Sequence, residues 1–104
     1  MVAHATVLYP GDAQFDLKYY LSTHLPLCEK GWKELGLVDW KVIEYTPGPD
    51  GSKPYAIGAL LSWESLESIG KAFEAEATKG ILDDVKNFSD KSPLFLIGNV
   101  AGQA

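Results

Sequence analysis

The sequence predicts an α+β fold in the order β-α-β-β-α-β, a four-stranded antiparallel sheet covered by two helices. Three observations predict it. Four segments carry the alternating or continuous apolar pattern of strands, two longer stretches carry apolar residues at helical spacing, and a proline- and glycine-dense turn, TPGPDGSKP, joins the two middle strands without a helix.

The first strand is Ala3 to Tyr9, with Ala3, Ala5, Val7 and Tyr9 on one face and His4, Thr6 and Leu8 on the other. Pro10, Gly11 and Asp12 end it. The helix from Phe15 to Leu35 follows, with Leu17, Tyr20, Leu21, His24, Leu25, Cys28, Trp32 and Leu35 along one stripe and Gly36 as its C-terminal cap. Pro26 offers no N–H to the Ser22 carbonyl and crowds it, so the spacing predicts either a kink toward whatever the stripe covers or a break at Leu25. Backbone polarity is freed beside Thr23 and His24 in either case.

A second strand, Leu37 to Tyr45, sets Val38, Trp40 and Val42 against Asp39, Lys41 and Ile43. After the turn, Tyr55 to Trp63 is the third strand, with Tyr55, Ile57, Ala59, Leu61 and Trp63 opposite the small Ala56, Gly58 and Ser62. Ser62 or Ser65 caps a second helix carrying Leu66, Ile69, Phe73 and Ala77, which Gly80 is expected to stop. A short turn from Ile81 to Val85 then carries Asp83 and Asp84, read as a solvated edge in preference to a metal site. Pro93 to Val100 is the fourth strand.

This order is the split βαβ pattern of a ferredoxin-like sandwich, in which helices cover one face of the sheet. The strands carry apolar or small residues on both faces, so the bare face is too apolar for water alone. Pairing of two copies through that open face is the expected solution, giving a homodimer.

A length of 104 residues predicts a single domain over residues 1–104. Nine lysines, no arginine and fourteen acids give a net charge of −5, which excludes the basic footprint of a nucleic-acid binder and disfavours bidentate capture of phosphate or carboxylate. Neutral or weakly acidic ligands fit better. The opening MVAHATVLYP lacks a signal-peptide pattern and no run approaches a membrane span, so a cytoplasmic location without membrane attachment is expected. Cys28 is the sole cysteine, and its place on the stripe suits a small hydrophobe rather than a nucleophile. With no G-x-G-x-x-G loop, no haem-ligation motif and no cysteine cluster, neither cofactor nor metal is expected.

FDLKYYLSTHLPL, following a strand that ends LYP, resembles the F-D-x-x-Y-Y-x-x-x-H-x-P-L signature of the EthD family, of the dimeric α/β-barrel superfamily. WESLESIGKAF and NFSDKSPLFLIG are similar to that family's second helix and last strand. The resemblance implies a ferredoxin-like unit whose sheets pair into a dimeric α/β barrel, with a pocket between sheet and helices in each subunit. The superfamily hosts cofactor-independent oxygenases, an isomerase, polyketide cyclases, haem-handling enzymes and members without a known reaction, so fold does not choose the chemistry.

The candidate site residues follow. His24 is the motif histidine, placed as general acid or base because imidazole titrates near neutrality. Tyr20, one turn earlier on the same face, is placed to orient or polarise a substrate oxygen. His4 matches in position a working histidine of the polyketide cyclases and is a candidate second base, with Thr6 beside it on the same face as a substrate contact. Tyr9 and Trp63, near strand ends, are candidates to stack on a planar ligand at a pocket mouth. Two functions are expected. One is cofactor-free acid/base chemistry on a small hydrophobic, aromatic or polyketide-like compound, of cyclase, dehydratase, isomerase or oxygenase type. The other is a non-catalytic small-molecule-binding or accessory protein in which His24 only shapes its helix.

Overall fold

The sheet of the computed structural model, which describes residues 2–104, has the order β2-β3-β1-β4 with every neighbouring pair antiparallel. Strand β1 (Ala3–Pro10) is central, flanked by β3 (Tyr55–Trp63) and β4 (Leu94–Asn99), with β2 (Leu37–Glu44) at the far edge. This is the α+β ferredoxin-like arrangement expected from the element order.

Register decides which residues share a face. Ala3, Ala5, Val7 and Tyr9 pair with Trp63, Leu61, Ala59 and Ile57, and all eight are buried beneath the helices. His4, Thr6 and Leu8 alternate with them and pair with Ser62, Leu60 and Gly58 on the opposite, bare face. A bulge between Leu37 and Asp39 breaks the alternation of β2, so Val38 is exposed while Trp40 and Val42 pack against the core.

The first helix, α1, runs over residues 17–32 and ends in a tight turn at Lys33–Leu35, closed by Gly36 at φ 114°. Asp16 caps it by accepting from the Tyr19 N–H. Pro26 neither breaks nor stops α1. Its missing N–H is absorbed by one widened turn, a π-helix over Tyr20–His24, in which the Leu25 N–H donates to the Tyr20 carbonyl five residues back. Leu25 keeps helical dihedrals of −62° and −41° despite the proline after it. The widened turn rotates the stripe, burying Tyr20, His24, Leu25, Cys28 and Trp32 but leaving Leu21 exposed.

The single second helix expected up to Gly80 is two: α2 (Leu66–Glu74) and α3 (Glu76–Asp83), followed by a 3-10 turn at Asp84–Asn87. Ser65 is the N-cap, exchanging hydrogen bonds with Ser68. The break falls at Ala75 because the Thr78 hydroxyl donates to the Ala72 carbonyl, which a continuing helix would offer to the Glu76 N–H. Trp32 donates its indole N–H to the same hydroxyl at 2.8 Å, so the break is fixed from the core side.

Two features bring the last helical segment onto α1. Gly31 presents no side chain where Ala77 and Ile81 of α3 approach, and a Cβ there would lie 3.2 Å from Ala77 and 3.3 Å from Ile81. At the other end, the Asp16 N–H donates to the Phe88 carbonyl at 2.8 Å, and Phe15 bridges to Ser89. The segment 84–89 is thereby held against the first two turns of α1.

Candidate functional site

The side chains that converge are His24 and Tyr20 of α1, Tyr9 of β1, and Asp84, Asn87 and Phe88 of the segment after α3. Tyr20 and His24 are four residues apart across the π-turn, and their rings stack at 5.3 Å with 14° between planes. Phe88 packs on the other rings, 4.5 Å from His24, 4.8 Å from Tyr20 and 5.6 Å from Tyr9. His24 is thus fixed within aromatic walls, on the helix-covered face of the sheet.

Asp84 is the polar centre. Its Oδ2 lies 2.9 Å from His24 Nδ1, while its Oδ1 accepts from the Tyr19 hydroxyl at 2.7 Å and from Asn87 Nδ2 at 2.9 Å. Asp83 stays exposed, as expected of a solvated edge; Asp84 does not, and is half-buried as a partner of the motif histidine. Alternation along the sequence misses this because the two groups are 60 positions apart and meet only through the packing of α3 on α1. The signal present in the chain was an unpartnered motif histidine needing an acceptor.

The electrostatics follow from this placement. Burial lowers the His24 pKa and the Asp84 carboxylate only partly restores it, so the imidazole is neutral at pH 7. Burial also acts to raise Asp84, but hydrogen bonds from Tyr19, Asn87 and His24 together outweigh it and hold the carboxyl below its ordinary range. Donating to Asp84 pushes the Tyr19 phenol upward. Tyr9 and Tyr20 are driven well above the ordinary phenol value by burial, so both remain hydrogen-bond donors rather than bases. Burial pushes the Cys28 thiol up to about 12, which leaves it unreactive at neutral pH.

Among the described residues, the buried side-chain nitrogen or oxygen sealed off without a partner is Trp63 Nε1. Among the described residues His24 Nε2 makes no hydrogen bond and is not so sealed, so it keeps some solvent exposure. The space that His24 lines is a void of about 30 Å3 walled by Tyr9, Tyr20, Cys28, Leu82, Val85 and Phe95 among others. Leu82 and Phe95 also wall an apolar cleft of about 270 Å3, completed by Phe73 and Thr78, between α3 and the β4 edge. No lysine lines either space.

The six sequence-predicted site residues separate into three places. His24, Tyr20 and Tyr9 line the void. His4 and Thr6 lie on the bare face, in an open hollow with Leu96 and Gly98, so the sheet stands between His4 and His24 and the two imidazoles do not share a substrate in one subunit. Trp63, expected at a pocket mouth, is wholly buried at the other end of β3, against Trp32 at 5.4 Å. Tyr9 likewise is core, contributing to the void wall rather than to a mouth. Among the described residues no three His, Cys, Asp or Glu side chains come together as metal ligands. No helix among them is long and apolar enough to cross a membrane.

These shifts fix a pH dependence. A histidine whose folded pKa is depressed contributes stability that is complete above its unfolded value of 6.5 and is lost as pH falls through the folded value. Asp84 behaves in the same direction from its ordinary 3.8 downward. Urea unfolding between pH 8 and pH 3 is therefore expected to show a first decline beginning near pH 6.5, absent in His24→Gln, and a second below about pH 4.

No family model and no curated protein matches the chain. Solved structures do. An EthD-like protein from Ralstonia eutropha is 22% identical, superposes with a TM-score of 0.85, and the match covers 99% of this chain and 95% of that one. An ethyl tert-butyl ether (EthD) family protein from Bacillus halodurans is 25% identical with a TM-score of 0.77, over 96% of this chain and 99% of that one. A dimeric ferredoxin-like protein of unknown function from Jannaschia is 10% identical with a TM-score of 0.70, over 96% of this chain and 100% of that one. Over nearly its whole length the chain thus resembles the two EthD proteins in fold, a ferredoxin-like α+β unit.

Proposed function

We propose that this EthD-like chain binds a small neutral ring compound in the cleft beside Leu82 and Phe95, and that His24 Nε2 removes a proton from it without a cofactor. The observation that carries the reading is His24, tied through Nδ1 to Asp84 and lining an apolar void. A base buried in this way stands unprotonated at neutral pH, and protonated Tyr20 supplies a donor near the developing negative charge. The cleft is slightly below the range of about 300–1,000 Å3 that holds drug-sized ligands, which favours one ring over a fused polyketide. The absence of lysine from its walls disfavours an anion. Cyclisation, dehydration, isomerisation and oxygenation of a stabilised carbanion all begin with such a proton removal.

The chain works as a homodimer in this reading, paired through the bare face of the sheet, where Leu94 and Leu96 are exposed beside Leu8, Leu60, His4 and Thr6. The small void favours a second reading, in which a ligand rests only in the outer cleft and His24 ties α1 to the 84–89 segment. Titration with single-ring phenols and ketones, followed through NMR signals of Leu82, Phe95 and His24, tests both. Changes at all three are expected for the first reading. Changes confined to Leu82 and Phe95 would move the assignment to simple binding, and none at any of them would overturn the pocket.

A further inference from the structure

We infer that Asp84 is a positioning residue that sets which nitrogen of His24 carries the proton, and that Tyr19 and Asn87 hold its carboxylate in place beside Nδ1. The inference rests on His24 acting as the base. It follows from how the two carboxylate oxygens are used. Oδ1 receives both outside donors, the Tyr19 hydroxyl at 2.7 Å and Asn87 Nδ2 at 2.9 Å, whereas Oδ2 faces His24 Nδ1 at 2.9 Å. An ionised carboxylate only accepts hydrogen bonds. The neutral imidazole therefore carries its proton on Nδ1 and donates it to Oδ2, leaving the lone pair on Nε2. A proton taken by Nε2 from a substrate makes an imidazolium with Asp84 beside it to stabilise the charge, and return of the proton restores the neutral ring.

The two donors on Oδ1 give the isosteric variant Asp84→Asn a defined consequence. With the carbonyl of the introduced amide turned to Tyr19 and Asn87, both existing hydrogen bonds are kept without reorienting either partner, and its NH2 group then faces His24. Nδ1 then accepts from it, which moves the imidazole proton to Nε2 and removes the lone pair there. Size, shape and the Tyr19 bond are unchanged, so the fold is retained while the base is switched off. With Tyr19→Phe and Asn87→Ala added to Asp84→Asn, nothing holds the amide orientation. It can turn its carbonyl to Nδ1 and restore the original tautomer.

The test is long-range 1H–15N NMR of the His24 ring at pH 7.5 on ligand-free protein. The expected result is an Nδ1–H ring in the unmodified protein, an Nε2–H ring in Asp84→Asn, and return of a substantial Nδ1–H population in the triple variant. An Nε2–H ring in the unmodified protein, or an Asp84→Asn protein that keeps the proton on Nδ1, would overturn the inference. Because the tautomer is read without substrate, a failure of base catalysis is a separate result. Where catalysis is present, Asp84→Asn is expected to lower it on the order of 10³- to 10⁴-fold, as when asparagine replaces the aspartate behind a catalytic histidine.

Discussion

Phe88→Ala is expected to lower the unfolding free energy by about 3–5 kcal/mol, measured by urea denaturation at pH 7.5. Phe88 is 2% exposed and is the ring on which the site is assembled, in contact with Tyr9, Phe15, Tyr19, Tyr20 and His24. Its truncation leaves a cavity that neighbours on different elements cannot jointly fill, since Tyr9 is fixed in the sheet and Tyr20 and His24 are fixed on the π-turn. The loss reaches the chemistry as well. Phe88 is one wall of the slot that orients the His24 imidazole, so the His24 to Asp84 bond is expected to weaken in the variant even below its unfolding midpoint. A loss under about 1 kcal/mol would mean that this cluster is not a packed part of the core.

Leu96→Asp is expected to weaken homodimer formation by at least about a hundredfold, read by sedimentation equilibrium, because a carboxylate buried without a partner costs about 3 kcal/mol or more. Leu96 pairs with Thr6 near the middle of the bare face and is 51% exposed in the single chain. The variant should fold normally, since the substituted side chain points away from the helices. Ile97, its neighbour on the helix side of β4, gives the matching control, with Ile97→Asp expected to leave association near its original strength. A chain that is already monomeric without substitution would contradict pairing through this face.

The parts of the fold that were legible in the sequence were those governed by local period. The alternation of β1 correctly divided Ala3, Ala5, Val7 and Tyr9 from His4, Thr6 and Leu8, and the α1 stripe correctly named Tyr20, His24, Cys28 and Trp32 as one face. Where a local rule was interrupted, the reading drifted. A wide turn at Tyr20–His24 carried Leu21 out of the stripe, a bulge carried Val38 off its face, and a threonine hydroxyl split the second helix at Ala75 instead of at Gly80. The site was legible only in half. His24 and Tyr20 were marked by their chemistry and spacing, but Asp84 depends on Gly31 allowing α3 close to α1, a tertiary fact that no periodicity carries. His4 was recognisable as chemistry but not as belonging to the other side of the sheet, which depends on the pairing register.

The most direct measurement of His24 as a base is proton exchange, which needs no knowledge of the final product. Single-ring ketones such as cyclohexanone and acetophenone, incubated with the protein in D2O at pH 7.5 and followed by NMR, should gain deuterium beside the carbonyl faster than in buffer. His24→Gln, which keeps a polar side chain at the site, should lose at least about 100-fold of the protein-dependent rate. Exchange that proceeds equally in His24→Gln and in the unmodified protein would contradict proton removal by His24.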